Sequence, residues 1–109
     1  MAIDTTENYD RQIIDWHGYR IEIAYCRSWS PSVEDIYGYA MSHIEIRTIE
    51  PERAPLPITE TGYRSHFVHE PVVVEWGGPE ALVRALLDDA AKSAEWKELE
   101  ESRKQLSLF

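Results

Sequence analysis

Two stretches alternate apolar and polar residues, and this alternation constrains the fold more than any other feature of the chain. In residues 19–26 (YRIEIAYC), Tyr19, Ile21, Ile23 and Tyr25 share one face, and Arg20, Glu22, Ala24 and Cys26 the other. In residues 43–49 (HIEIRTI), Ile44, Ile46 and Thr48 oppose Glu45 and Arg47. A period of two predicts half-buried β-strands. His17-Gly18 supplies a turn before the first.

Residues 63–68 read as a third strand, interrupted by Glu70-Pro71. The run 72–76 (VVVEW) admits two readings, a strand or a short helical turn begun by Pro71. Residues 33–42 are equally open, either a short helix spoiled by Gly38 or a loop carrying Tyr37 and Tyr39. Residues 1–10 are polar and read as a loose arm; Tyr9 to Trp16 is an opening helical turn or a first extended segment. Residues 50–62 hold three prolines and a glycine, so they must be a loop, and its length suits a binding role.

Gly77-Gly78-Pro79-Glu80 marks a helix start. Leu82, Val83, Leu86, Leu87, Ala90, Ala91 and Ala94 then recur at helical spacing as one stripe for packing on a sheet. The stripe loses register after Ser93. Either the helix runs on into solvent, or Ser93 caps a second one; residues 95–104 (EWKELEESRK) read as a solvated helix. The expected fold is therefore α+β: a small antiparallel sheet of about three strands, covered by a long C-terminal helix, with a free C-terminal tail. Residues 1–104 form one domain and residues 105–109 a separate linear segment.

Composition narrows the function. At 43% hydrophobic, 109 residues can build one core. The net charge of −9 repels phosphate backbones, so no direct nucleic-acid binding is expected. It suits a basic partner, including a nuclease or another nucleic-acid-binding protein, and serves solubility equally well. The acid excess is greatest in residues 1–50, with 9 acids against 4 bases. The polar N-terminus does not resemble a signal peptide, and no apolar run approaches the roughly 20 residues of a membrane span. With Cys26 the single cysteine, no internal disulfide can form, and a cytoplasmic setting is expected.

Catalytic chemistry is sparse. His66 and His69 are three apart, which on a strand places them on opposite faces. A zinc site would need a further ligand such as His43 or Glu70. Cys26 reads as a small packed side chain. Ser65-His66 adjacency makes no relay, and Glu34-Asp35 and Asp88-Asp89 look like solvated pairs. The expectation is a non-enzymatic protein without cofactor or metal; a small hydrolase or metal enzyme using His43, His66 or His69 is the weaker alternative.

The last five residues, Gln105, Leu106, Ser107, Leu108 and Phe109, place three large apolar side chains after a charged segment. They must pack back on the domain or enter a pocket on another molecule. QLSLF resembles the linear motif by which bacterial DNA polymerases and mismatch-repair proteins bind the β sliding clamp, agreeing at every position of the form Gln-Leu-Ser/Asp-Leu-Phe. The resemblance covers five residues of 109. It implies that Gln105 hydrogen-bonds at a pocket rim, Leu106 fills one apolar subsite, Ser107 is a spacer, and Leu108 with Phe109 fills a deeper subsite. Phe109 would then carry a carboxylate that the pocket must leave in water. The body resembles, more loosely, small uncharacterised plasmid and prophage proteins. That resemblance implies a second function class, an acidic inhibitor of a host defence nuclease of the anti-CRISPR or anti-restriction kind. The leading expectation is a binding protein of bacterial DNA transactions, docked on the sliding clamp.

Overall fold

A computed structural model describes residues 9–107. Four strands pair in chain order as an antiparallel meander: β1 Asp10–Trp16, β2 Tyr19–Cys26, β3 Met41–Glu50 and β4 Tyr63–His69. Four helices complete the fold: α1 Pro31–Tyr37 between β2 and β3, then α2 Glu70–Glu75, α3 Pro79–Ala90 and α4 Ala94–Ser107 after the sheet. The α+β class is as expected. The inventory of about three strands and one long helix is corrected to four of each.

The extra strand is Asp10–Trp16, which pairs along its whole length with β2 through the turn at His17-Gly18. Its sequence, DRQIIDW, alternates only at its end, because an edge strand has fewer buried positions to declare itself. The Val-rich run 72–76 is helical up to Glu75, with Pro71 in the first turn and Val73 buried. Pro favours that position because the first helical N–H groups have no intrahelical partner. The expected long helix breaks at residues 91–93. Ser93 Oγ accepts the Trp96 N–H at 3.2 Å, so Ser93 caps a second helix.

One face of the sheet carries the core. Ile14 and Trp16 of β1, Tyr19, Ile21 and Ile23 of β2, and Ile44 and Ile46 of β3 meet Val73, Leu82, Val83 and Leu87. Leu86 is only partly buried at the margin of this cluster. Ala94, counted in the apolar stripe, is exposed, since the chain has already turned at Ser93. The core extends where no pattern announced it. Trp96, inside the charged segment, is 4% exposed, and packs near Trp16 and Tyr19 with ring centroids 6.3 and 6.1 Å away.

The proline loop is packed rather than open. Ala54 and Leu56 are buried, Leu56 and Thr59 exchange backbone hydrogen bonds, and Thr48 Oγ1 donates to the Ala54 carbonyl at 2.7 Å. Gly62 closes the loop with φ of 78°, and its carbonyl accepts the Thr48 N–H at 2.8 Å. A Cβ there would lie 2.6 Å from the Arg53 carbonyl carbon. Gly62→Ala therefore combines a steric clash with an unfavourable dihedral, and is expected to cost about 2 kcal/mol or more. Urea denaturation checks this; a variant as stable as the parent would show that the close approach is not required.

Candidate binding face and C-terminal arm

The second face of the sheet points away from the core that α2, α3 and α4 complete. Strand register places Arg11 and Ile13 of β1, Glu22, Ala24 and Cys26 of β2, His43, Glu45 and Arg47 of β3, and Tyr63, Ser65, Phe67 and His69 of β4 on it. Its middle is polar. Glu22 accepts from Arg11 at 3.0 Å and Arg47 at 2.6 Å. These partly exposed ion pairs orient side chains more than they stabilise the fold.

Towards one end the face becomes aromatic, centred on His43. Imidazole Nδ1 lies 2.5 Å from the Tyr9 hydroxyl and Nε2 lies 2.6 Å from Ser65 Oγ. Phe67 stacks on the imidazole at 4.4 Å, and Tyr9 meets it edge-on at 5.7 Å. Cys26 is the cross-strand partner on the other side. Burial pushes the His43 pKa below its ordinary value, with Glu45 pulling the other way. Burial also raises the Tyr9 hydroxyl and the Cys26 thiol, so all three groups are neutral near pH 7.

A Ser65 hydroxyl within reach of a neutral imidazole is the geometry of a nucleophile and its base. Acyl transfer also needs an oxyanion site. On this face Ser65 has Glu45 across the ladder and Tyr63 and Phe67 along the strand, and of these only the Tyr63 hydroxyl is a hydrogen-bond donor. The arrangement satisfies both ring nitrogens of a buried histidine.

His43 makes stability depend on pH. Its folded pKa lies below the unfolded value near 6.5, so the unfolded chain takes up the proton first as pH falls. The contribution is complete above about pH 6.5 and is lost as pH drops from there through the lowered folded value. Burial, helped by Arg64, lowers His66 in the same direction. The melting temperature should fall between about pH 7.5 and pH 5.5, and His43→Gln should flatten that dependence. A parent protein with equal melting temperatures at both pH values would refute this reading.

Beneath the aromatic end, Glu70 opens α2 and takes hydrogen bonds from the Tyr25 and Ser42 hydroxyls, with Arg27 at 3.9 Å. Burial and this carboxylate push Tyr25 up to about 12. Glu70 is thus engaged in joining α2 to the sheet. His66 and His69 project from opposite faces of β4, as their spacing implied, and His66 is also on the face opposite His43. Among the described residues no group of three or more His, Cys, Asp or Glu is placed to hold a metal ion.

The C-terminal arm is α4. Among the contacts that tie it to the body, two involve Trp96 and Arg103. Trp96 is buried, and the Arg103 guanidinium lies 5.0 Å from the Tyr19 ring centroid and donates to the Tyr19 hydroxyl. Burial raises the Tyr19 pKa, against the lowering effect of Arg103. Gln105 follows, exposed. The helix continues through Ser107, so Gln105, Leu106 and Ser107 lie in its last turn rather than in an extended tail. The backbone there prolongs a helix-prone charged run. Leu108 and Phe109 lie outside the described residues.

Sequence reasoning missed Tyr9, Ser65 and Trp29 as members of one surface. Only the period-two placement of Cys26 and His43 off the core face signalled it. Among the described residues no helix is long and apolar enough to cross a membrane. No curated protein matches the chain, and no solved structure does. A family model does match, that of the KlcB third domain, over residues 9–96. The match opens at Tyr9, which meets His43, and closes at Trp96, which fastens α4 to the core; it spans the whole sheet and helices α1 to α3, and the chain belongs to the KlcB third-domain family.

Proposed function

We propose that this protein is a non-enzymatic acidic binding protein of bacterial DNA transactions that docks on the DNA polymerase sliding clamp through Gln105–Phe109. In this reading it is an accessory protein of a mobile genetic element. The observation that carries the proposal is the QLSLF segment, whose first three residues are the last of α4, beyond Trp96 and Arg103. The segment also lies outside the residues that match the family. Removing it therefore leaves the matched domain whole.

The energetics are adequate. Each buried Leu or Phe contributes about 1.5–3 kcal/mol, and ordering the segment offsets part of that, which gives micromolar affinity. Docking in extended form requires the last turn of α4 to unwind. A pull-down of purified sliding clamp by the full chain, compared with a chain lacking residues 105–109, tests the reading. Retention of the clamp by the truncated chain, or no retention by the full chain, would exclude it.

A second reading, inhibition of a host defence nuclease, is favoured by the net charge of −9. Binding to a basic nuclease that weakens steeply with salt would support it over the first.

A further inference from the structure

The sheet ends where β2 and β4 finish and β3 begins, and that end carries a set of aromatic side chains, all exposed except half-buried Tyr39. Trp29 meets Phe67 edge-on at 4.9 Å, and the two are 52% and 49% exposed. His69 sits two residues beyond Phe67 on the same face, with Tyr39 at 4.7 Å, and Tyr37 lies 6.1 Å further on. Backbone bonds fix the frame: the Trp29 N–H donates to the Met41 carbonyl and the Glu70 N–H to the Ala40 carbonyl. Helix α1 belongs to this end and buries none of its residues, yet it carries Ile36 and Tyr37, 73% and 61% exposed. A helix that gives nothing to the core and presents large apolar side chains to water is explained by a partner.

Charge identifies the partner. Glu34 and Asp35 directly precede Ile36 and Tyr37 on α1, with Glu34 also accepting the Ser28 hydroxyl at 3.2 Å, and the cation nearest in the chain, Arg27, already faces Glu70. A second copy of this chain would set acid against acid and is disfavoured. Guanidinium groups satisfy both features at once, since they stack on Trp and Tyr faces and pair with carboxylates. We infer that the strip formed by Trp29, Phe67, Tyr39 and Tyr37, with the exposed Ile36 next in the chain to Tyr37, docks an arginine-rich apolar protein surface. This site is separate from residues 105–109 and does not depend on clamp binding.

The probes are fluorescent peptides alternating Leu with Arg, Leu with Lys, and Leu with Glu, titrated onto the full-length protein. The Arg peptide should bind, more tightly than the Lys peptide and with strong salt dependence, and the Glu peptide should not. Trp29→Ala with Tyr37→Ala should weaken Arg-peptide binding about tenfold or more. Glu34→Gln with Asp35→Asn should weaken it while leaving the rings in place. Trp29, Tyr37 and Asp35 are exposed and Glu34 is half-buried, and circular dichroism should be unaltered in both variants. Deleting residues 105–109 should leave peptide binding unchanged. Absence of Arg-peptide binding, parity between the Arg and Lys peptides, or indifference to Trp29→Ala with Tyr37→Ala would each overturn the proposal. Concentration-dependent self-association abolished by Trp29→Ala with Tyr37→Ala would assign the strip to a second copy and overturn it too.

Discussion

Leu106→Ala combined with Phe109→Ala is expected to abolish sliding-clamp binding while leaving the melting temperature within about a degree of the parent. Each side chain is proposed to anchor one clamp subsite, and an anchor contributes about 2 kcal/mol. Losing both removes about 4 kcal/mol, roughly a thousandfold in Kd, which takes a micromolar complex beyond detection. The fold should not notice, because the core cluster closes at Trp96 and Gln105 is already exposed. If these residues packed on their own sheet instead, the same double change would cost several kcal/mol of folding stability. Melting temperature and clamp affinity measured on this one variant separate the two cases. A large fall in melting temperature, with no clamp binding by the parent, would end the clamp hypothesis.

The largest expected loss of stability is at Trp96. Trp96→Ala should cost about 3–5 kcal/mol, because it empties the space between α4, Trp16 and Tyr19. Its indole Nε1 is buried without a hydrogen-bond partner among the described residues. Trp96→Phe therefore gives up packing but no hydrogen bond, and should cost under about 1.5 kcal/mol. Trp16 provides the contrast. It is equally buried, but its Nε1 donates to Asp88 at 2.8 Å across the strand–helix junction. Trp16→Phe should therefore cost about 1 kcal/mol more than Trp96→Phe. Urea denaturation of the three variants checks the order. A Trp96→Phe variant as damaged as Trp96→Ala would show that the indole nitrogen does have an acceptor.

The two experiments meet in α4. Trp96 and Arg103 set where the helix leaves the body, so Trp96→Ala loosens the mount of the proposed clamp segment without touching the segment. A linear motif should bind from a loosened mount almost as well. The aromatic strip is held by β3, β4 and α1 and is independent of both.

The sequence by itself determined the elements whose side chains report a two-sided environment. Residues 19–26 and 43–49 were legible because one face lies on the core, so Ile21, Ile23, Ile44 and Ile46 had to recur every second residue. The α3 start was legible because Pro79 fixes its own φ at the first helical position and Gly78 tolerates the positive φ of 114° before it. Opposite facing of His66 and His69 followed from strand geometry alone.

Only the tertiary structure decided the rest. β1 lies at an edge, α1 buries nothing, and α2 is six residues long, so none had enough buried positions to print a period. Trp96 sits in a run that reads as solvated, because a single buried ring among charges carries no periodic signal. Its burial depends on Trp16 and Tyr19, far away in sequence. The His43 surface depends likewise on separations of 34 residues to Tyr9 and 22 to Ser65. Local propensity acts over a few residues, whereas hydrogen bonds and ring contacts between strands are set by register and by the closing of the sheet.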